Sequence, residues 1–342
     1  MVNLTLLDWA KRLDPNGSVP IIANILSQTN EILTDCVVVQ GNLPTGHRVT
    51  IATGLPTVYY RALNQGIATS KSTTVQVDEN MAIAEARSEV DIDLAKLNGN
   101  TAEFRLSEAR QFIEAMNQTI ATGMFYGNPA SDPKQFLGLM QRFSDPTAGN
   151  GQNILDGGGS TGANAQTSMW LVAWGDNTTF CIFPKGSTAG LLQEDLGRQT
   201  SYDAGGTGLR MEVFAERFQW KTGLVVKDWR SVVRVCNLET ADFAALANEL
   251  APTLFTNILH LMARALTRIP RGVQRMSRMV FYMNASVFAV LMRTALEKSH
   301  QALSVQSALD QFGRPNQMLS FLGVPIRQCD AILNTEAVVT GF

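Results

Sequence analysis

The chain has 342 residues, enough for two domains or one elaborate one and for a sizeable core. Its 28 basic and 30 acidic residues leave a formal net charge of −2, which excludes a dedicated nucleic-acid binder or a polybasic membrane protein. Charged residues make up 17% of the chain, against roughly 25% in an ordinary soluble domain, so the surface is undercharged, as expected where partner subunits cover it.

Residues 3–35 read as an amphipathic helical arm in two pieces, broken at Asp14-Pro15-Asn16-Gly17, with Ile21, Ile22, Ile25, Leu26, Ile32 and Leu33 at helical spacing. Two helices this short must dock on something to be ordered. From Leu43 to Leu94 the texture turns extended. Strand patterns occupy His47–Thr53, Thr57–Leu63, Thr73–Val77 and Met81–Leu94, separated by Pro44-Thr45-Gly46, Gly54-Leu55-Pro56 and Gly66–Ser72. They predict a long hairpin-like excursion with an almost wholly polar tip, Asn64–Thr74. A hairpin without a third strand is marginal alone, so this one is expected to lie on a neighbour.

A helix is predicted over Ala102–Tyr126, capped by Thr101, with Glu103 in its first turn and Gly127 behind it. Ala109, Phe112, Ile113, Met116, Ile120 and Met124 form one apolar stripe. At 1.5 Å per residue it is roughly 37 Å long, a spine that can cross the face of a sheet. Residues 128–165 read as loop. Strands follow at Ser168–Trp174, Thr179–Phe183, Arg210–Gln219 and Gly223–Val235, with a polar loop, Pro184–Gly208, between the second and third. Helices at Ala241–Ile269 and Ala285–Lys298 flank a strand, Met279–Met283, and the chain closes with a strand, Gly323–Arg327, and a segment, Ala331–Val339. Mixing without regular alternation predicts an α+β fold, and no internal repeat is evident.

Catalytic chemistry finds no support. Gly157-x-Gly159-x-x-Gly162 and Gly158-x-Ser160-x-Gly162 formally match a dinucleotide fingerprint and a nucleophile elbow. Neither is led in by a buried strand nor followed by a clear helix with an acidic residue, so the segment reads as a surface loop. His47, His260 and His300 have no His or Cys at metal spacing. Cys36, Cys181, Cys236 and Cys329 lie too far apart for zinc and read as reduced, buried thiols. No cofactor is expected. No secretory signal is evident and no apolar run approaches the 18 or so residues of a membrane span, so the chain reads as soluble and made in a cytoplasm.

Charge is segregated along the chain. Residues 250–296 carry Arg264, Arg268, Arg271, Arg275, Arg278 and Arg293 and no acid, while 78–93 carry Asp78, Glu79, Glu85, Glu89, Asp91 and Asp93 against the single Arg87. These runs either pair between subunits, setting register, or are two unrelated solvated faces.

The order of arm, extended loop, spine helix and mixed globular part resembles the major capsid protein of tailed bacteriophages. The phrases that carry the resemblance include Asn42-Leu43-Pro44-Thr45-Gly46-His47-Arg48, Gly54-Leu55-Pro56-Thr57-Val58-Tyr59-Tyr60-Arg61, Ser88-Glu89-Val90-Asp91 and Phe125-Tyr126-Gly127-Asn128. Further on come Asp228-Trp229-Arg230-Ser231-Val232-Val233-Arg234, Phe281-Tyr282-Met283-Asn284, Gly323-Val324-Pro325-Ile326-Arg327 and Asp330-Ala331-Ile332-Leu333. They run almost end to end and look like phrases of short-tailed phage coat proteins.

The resemblance implies the tailed-phage capsid fold, also that of herpesvirus capsids: an arm at 1–43, an extension loop at 44–94 and a peripheral domain at 95–150 with the spine helix at 102–126. Strands from about 209–238 would complete the peripheral domain, and 151–208 with 239–342 would be mainly axial. It implies hexamers and pentamers in an icosahedral shell around double-stranded DNA, contacted without sequence specificity. It also implies a portal complex, a possible decoration protein, and a virion assembled in the host bacterial cytoplasm. Because the chain starts at the arm, a separate scaffolding protein is expected. Some relatives crosslink a loop lysine to a neighbour's asparagine; Lys71 would be that lysine here, although a solvated lysine is the simpler reading. Contact between subunits is expected of Trp9, Leu13, Tyr59, Tyr60, Arg61, Lys71, Glu89, Asp91, Arg268 and Arg271, since aromatic residues and arginine anchor interfaces. The rival readings are a cellular nanocompartment shell of the same fold and an α+β enzyme whose glycine loop closes over a ligand.

Overall fold

The structure, a computed structural model, describes residues 27–99, 101–159, 164–202, 208–241, 252–296, 303–309 and 315–342. In chain order the elements begin with α1 (Ile32–Asp35), β1 (Val38–Gln40), β2 (Gly46–Gly54), β3 (Thr73–Asn80), β4 (Ala82–Asp91), α2 (Ile92–Lys96), α3 (Thr101–Tyr126) and α4 (Leu139–Arg142). Next come β5 (Ile154–Asp156), β6 (Gln166–Trp174), β7 (Thr179–Phe183), β8 (Leu191–Tyr202), β9 (Arg210–Val226) and β10 (Val232–Glu239). The remainder are α5 (Pro252–Arg268), α6 (Arg271–Met276), β11 (Arg278–Met283), α7 (Ala285–Leu296), β12 (Leu303–Leu309), β13 (Pro315–Phe321) and β14 (Val324–Gln328).

The fold is α+β, as expected. Its centre is β6, buried at every position. Side chains alternate across a strand, so covering both faces of the sheet produces such a run. Met169, Leu171 and Ala173 face a layer made by α5 and α7, together with Val233, Phe281 and Met283. Trp170, Val172 and Trp174 face the opposite layer, where Ile120, Met124 and Phe125 at the C-terminal end of α3 pack beside Tyr282 and Ile332. Strands β10 and β11 flank β6 antiparallel, β14 lies parallel beside β11, and β13 and β12 extend that edge.

β9 joins this sheet to a second, more exposed region. Its end, Gly223–Val226, pairs with β7, while Val213–Thr222 pairs with β4 and Arg210–Trp220 with β8. The spine α3 starts at Thr101, a residue before the expected Ala102, and crosses from this ribbon to the central sheet over about 39 Å. Phe112 stacks on Phe218 at 5.5 Å near its middle, and Phe125 lies 6.1 Å from Trp170 at its end. The helix stops at Gly127, where a Cβ would sit 2.3 Å from the carbonyl oxygen of Phe136.

Several expected elements differ. Thr57–Leu63 is not a strand: it has no partner to complete a ladder, and its side chains are exposed. The expected polar loop Pro184–Gly208 contains β8, a long edge strand whose half-exposed faces tolerate polar residues. The expected strands Arg210–Gln219 and Gly223–Val235 become one continuous β9 and a separate β10, divided by a 3₁₀ turn, Trp229–Ser231. The β12–β13 hairpin was not anticipated. Of the expected arm, residues 1–26 lie outside the described residues and only α1 is helical in the rest; the expected helical residues 242–251 and 297–298 also lie outside them. Cys181, Cys236 and Cys329 are buried free thiols, and Cys36 is half-buried.

Candidate functional site

Among the described residues no group of three or more His, Cys, Asp or Glu side chains is placed to hold a metal ion. Contrary to the expectation that no buried strand leads into the glycine run, β5 ends at Asp156, directly before Gly157. Gly157 and Gly159 donate to the carbonyls of Cys236 and Asn237, and a Cβ on either would collide with that backbone at 2.8 and 2.7 Å. These glycines let the chain lie against β10. Residues 160–163 lie outside the described residues.

The prominent feature is the β2–β3 ribbon and the segment that joins its strands. The ribbon pairs from Gly46↔Asn80 to Gly54↔Thr73 and belongs to no larger sheet. Its base is held firmly. Arg142 Nη1 and Nη2 donate to the two carboxylate oxygens of Glu79 at 2.6 Å each, and Nη2 also reaches the Leu224 carbonyl at 3.1 Å. Asn80 Nδ2 donates to the Gln135 carbonyl at 2.9 Å, Val49 is buried against Phe180, Ile182 and Val225, and the ring of His47 meets Phe180 edge-on at 5.5 Å. Burial first, and the charge of Lys227 second, hold the His47 imidazole below its ordinary pKa. Glycine is required here: a Cβ at Gly46 would lie 2.4 Å from the Glu79 carbonyl oxygen.

Away from the base every restraint is superficial. Arg48 and Asp78 form an exposed bidentate pair, Val75 and Val77 are open to solvent, and the connecting segment carries Leu55, Val58, Leu63 and Ile67 exposed. Tyr60 is fully exposed and Tyr59 half exposed. The ribbon is thus a strand pair anchored at its base and ending in an exposed apolar and aromatic tip.

The expected contact residues fall in different places. Tyr59, Tyr60, Arg61 and Lys71 sit together on this tip; Arg61 Nη1 donates to the Gln65 carbonyl at 3.4 Å. Glu89 has partners within the subunit, an ion pair with Arg87 at 2.9 Å and a hydrogen bond accepted from Ser201. Asp91 caps α2 by accepting from the amides of Asp93 and Leu94. Arg268 ends α5 and Arg271 begins α6, both exposed. Trp9 and Leu13 lie outside the described residues. Sequence reasoning missed the apolar tip residues Leu55, Val58 and Leu63 and the Glu79–Arg142 anchor. The former had a signal, being large apolar residues between Gly54-Leu55-Pro56 and a polar run.

The sequence profile of the major capsid protein GP7 family matches residues 14–340. The chain belongs to the major capsid protein GP7 family. This capsid protein is 27% identical to the chain in a structure of bacteriophage Epsilon15, with a TM-score of 0.74 over 100% of this chain and 98% of that one. The capsid of a native GTA particle is 10% identical, with a TM-score of 0.46 over 66% and 95% of the two chains. The holo-SrpI encapsulin complex from Synechococcus elongatus PCC 7942 is 10% identical, with a TM-score of 0.47 over 69% and 97%. No curated protein matches. The fold is thus the tailed-phage capsid fold and the chain is a phage shell protein, as its phrases implied.

Proposed function

We propose that the chain assembles as hexamers and pentamers into a closed icosahedral shell around double-stranded DNA, with the β2–β3 ribbon laid on a neighbouring subunit. The observation that carries this reading is the ribbon itself, anchored through Glu79 and Arg142 and ending in exposed Leu55, Val58, Tyr60 and Leu63. Small contacts repeated around a closed lattice sum to a stable shell. The role is structural rather than catalytic. In this reading residues 95–150 with α3, completed by strands from about 209–238, form the peripheral part of the subunit, and 151–208 with 239–342 mainly the axial part. A separate scaffolding protein, a portal and a decoration protein would complete the particle in the bacterial cytoplasm.

Negative-stain microscopy and light scattering on the purified chain, with its scaffold where required, test this. Closed particles of uniform size are expected. Replacing Leu55, Val58, Tyr60 and Leu63 together by serine is expected to leave subunit stability within about 0.5 kcal/mol, because exposed positions contribute little, while shell formation is lost. A wild-type chain that stays a small oligomer, or serine variants that assemble normally, would overturn the reading.

A further inference from the structure

The segregated charge of the sequence resolves unevenly in the structure. Five of the six acids in 78–93 are engaged within the subunit. Asp78 bonds Arg48, Glu79 bonds Arg142, Glu85 accepts from Gln219, Glu89 pairs with Arg87, and Asp91 caps a helix. The basic run divides. Arg278 is tied to Asp35 at 2.7 Å, whereas Arg264, Arg268, Arg271 and Arg275 are exposed and have no carboxylate within ion-pair distance among the described residues. Four exposed guanidiniums without an ion-pair partner among the described residues thus fall within twelve residues of sequence, on a chain whose net charge is −2.

The surface is rigidly built. α5 buries Ile258, Leu261, Met262 and Ala265 in the core, with Ile269 just beyond its end, which leaves His260, Arg264 and Arg268, spaced four apart, along its outer face. Gln274 Nε2 donates to the carbonyls of Leu266 and Ile269 at 2.9 and 2.7 Å, fastening α6, with Arg271 and Arg275, to the end of α5. The C-terminal carbonyls of α5 favour a cation in its last turn, which accounts for Arg268 but not for the pair on the next helix. Arg264 and Arg268 also line a cleft of about 430 Å³ whose other walls include Pro146, Gln152, Ile154 and Phe342. Asp156, in the same wall, is satisfied by the Gly158 amide at 3.0 Å and Asn237 Nδ2 at 2.9 Å.

Three kinds of partner could neutralise this corner. The 78–93 run of a second copy is disfavoured as the partner, because five of its six acids already have partners within the subunit. Duplex DNA is disfavoured because four cations fall short of the roughly six to ten phosphate contacts typical of DNA-binding proteins, and a concave cleft suits an extended chain better than a convex rod. An acidic peptide fits: guanidinium forks take carboxylates bidentately, and the exposed Phe342 ring in the cleft wall offers an apolar contact for residues between them. We propose that the corner made by α5, α6 and the 146–156 segment docks an extended acidic segment of a second protein that joins the shell. The shell reading enters only in naming where this docking is used.

The test uses the full chain and a fluorescein-labelled peptide of about eight residues, roughly 26 Å when extended, rich in glutamate with interspersed leucine. Fluorescence anisotropy should show binding that weakens as salt shortens the Debye length below about 10 Å. Replacing Arg264, Arg268, Arg271 and Arg275 together by glutamine should weaken it roughly tenfold. Arg110→Gln, at an exposed arginine on α3, should change nothing. If the fourfold variant loses its fold by circular dichroism, Arg271→Gln with Arg275→Gln on α6 alone should still weaken binding about threefold. Absence of peptide binding, an equal loss in Arg110→Gln, or tighter binding of a short DNA duplex in competition would overturn the docking proposal. Shell formation is scored separately by microscopy, so a failure of the shell reading is seen apart from a failure of peptide binding.

Discussion

Arg234 and Glu336, 102 residues apart in the chain, meet through Nη2 and Oε2 at 2.8 Å with both side chains 1% exposed. Arg234 also donates to the Phe143 carbonyl at 2.9 Å and to Ser168 Oγ at 3.1 Å, and its guanidinium lies 5.3 Å from the Trp170 ring centroid. Glu336 accepts from Ser168 and from the Tyr126 hydroxyl, and Tyr126 in turn accepts from the Leu333 amide. The network therefore pins the last segment of the chain to the central sheet and to the end of the spine helix. Burial, with the Glu336 charge second, raises the Tyr126 phenol far above its ordinary pKa, so it serves as a donor throughout.

Breaking that pair on one side should be severe. Arg234→Ala leaves a buried carboxylate unpaired and is expected to cost about 3–5 kcal/mol, whereas Arg234→Met with Glu336→Leu should recover most of the loss. Urea unfolding of the two variants against wild type checks this. A single variant within about 1 kcal/mol of wild type would mean that water reaches the site.

The Glu79–Arg142 pair should control the ribbon rather than the whole fold. Arg142→Ala is expected to speed amide hydrogen exchange in β2 and β3 and to reduce shell yield, while exchange in β6 and β10 stays slow. Uniform acceleration across all four strands would show that the pair stabilises the entire subunit instead.

Two glycine substitutions should separate backbone crowding from freedom. A Cβ at Gly151 would lie 1.8 Å from the Pro146 carbonyl oxygen, so Gly151→Ala must displace the backbone and should lower stability by more than about 2 kcal/mol. At Gly66 nothing lies within 4 Å, and Gly66→Ala should be neutral or stabilising by up to about 1 kcal/mol. Thermal unfolding of the two variants reads the contrast, and equal midpoints would refute it.

Alkali should destabilise the subunit. Burial pushes the Cys236 and Cys329 thiols up to about 12, and Cys181 rises too, while the half-buried Cys36 falls through its bond to Cys181. The unfolded chain releases thiol protons near pH 8.5 that the folded chain retains. Stability is therefore full below that pH and declines as pH rises toward 12, by up to about 1.4 kcal/mol per pH unit for each raised thiol. Urea midpoints at pH 8, 9 and 10 should fall in that order, and Cys329→Ala should flatten the decline. Unchanged midpoints would contradict the argument.

Much of the architecture was legible because its signals are local. The stripe from Ala109 to Met124 places α3 almost to the residue, since a helix satisfies its own backbone and shows its buried face at a period of 3.6. The apolar runs at 168–174, 179–183 and 279–283 locate β6, β7 and β11, because strands covered on both faces are apolar throughout. The β2–β3 hairpin is legible from its alternating strands and the turn residues between them. Less was visible where a partner far along the chain decides the outcome. Thr57–Leu63 has a strand's composition but no neighbour to pair with, and β8 has a loop's composition but β9 beside it.

By itself, then, the sequence determined the spine helix, the apolar strands of the central sheet, the α+β class and the phrases of the capsid family. Only the tertiary structure decided how the charges are used. It buried Arg234 on Glu336, joined Glu79 to Arg142 at the foot of the ribbon, and left four arginines on α5 and α6 with no ion-pair partner among the described residues. Periodicity is set by neighbours three or four residues away, whereas an ion pair is set by whichever distant segment the fold brings within about 4 Å.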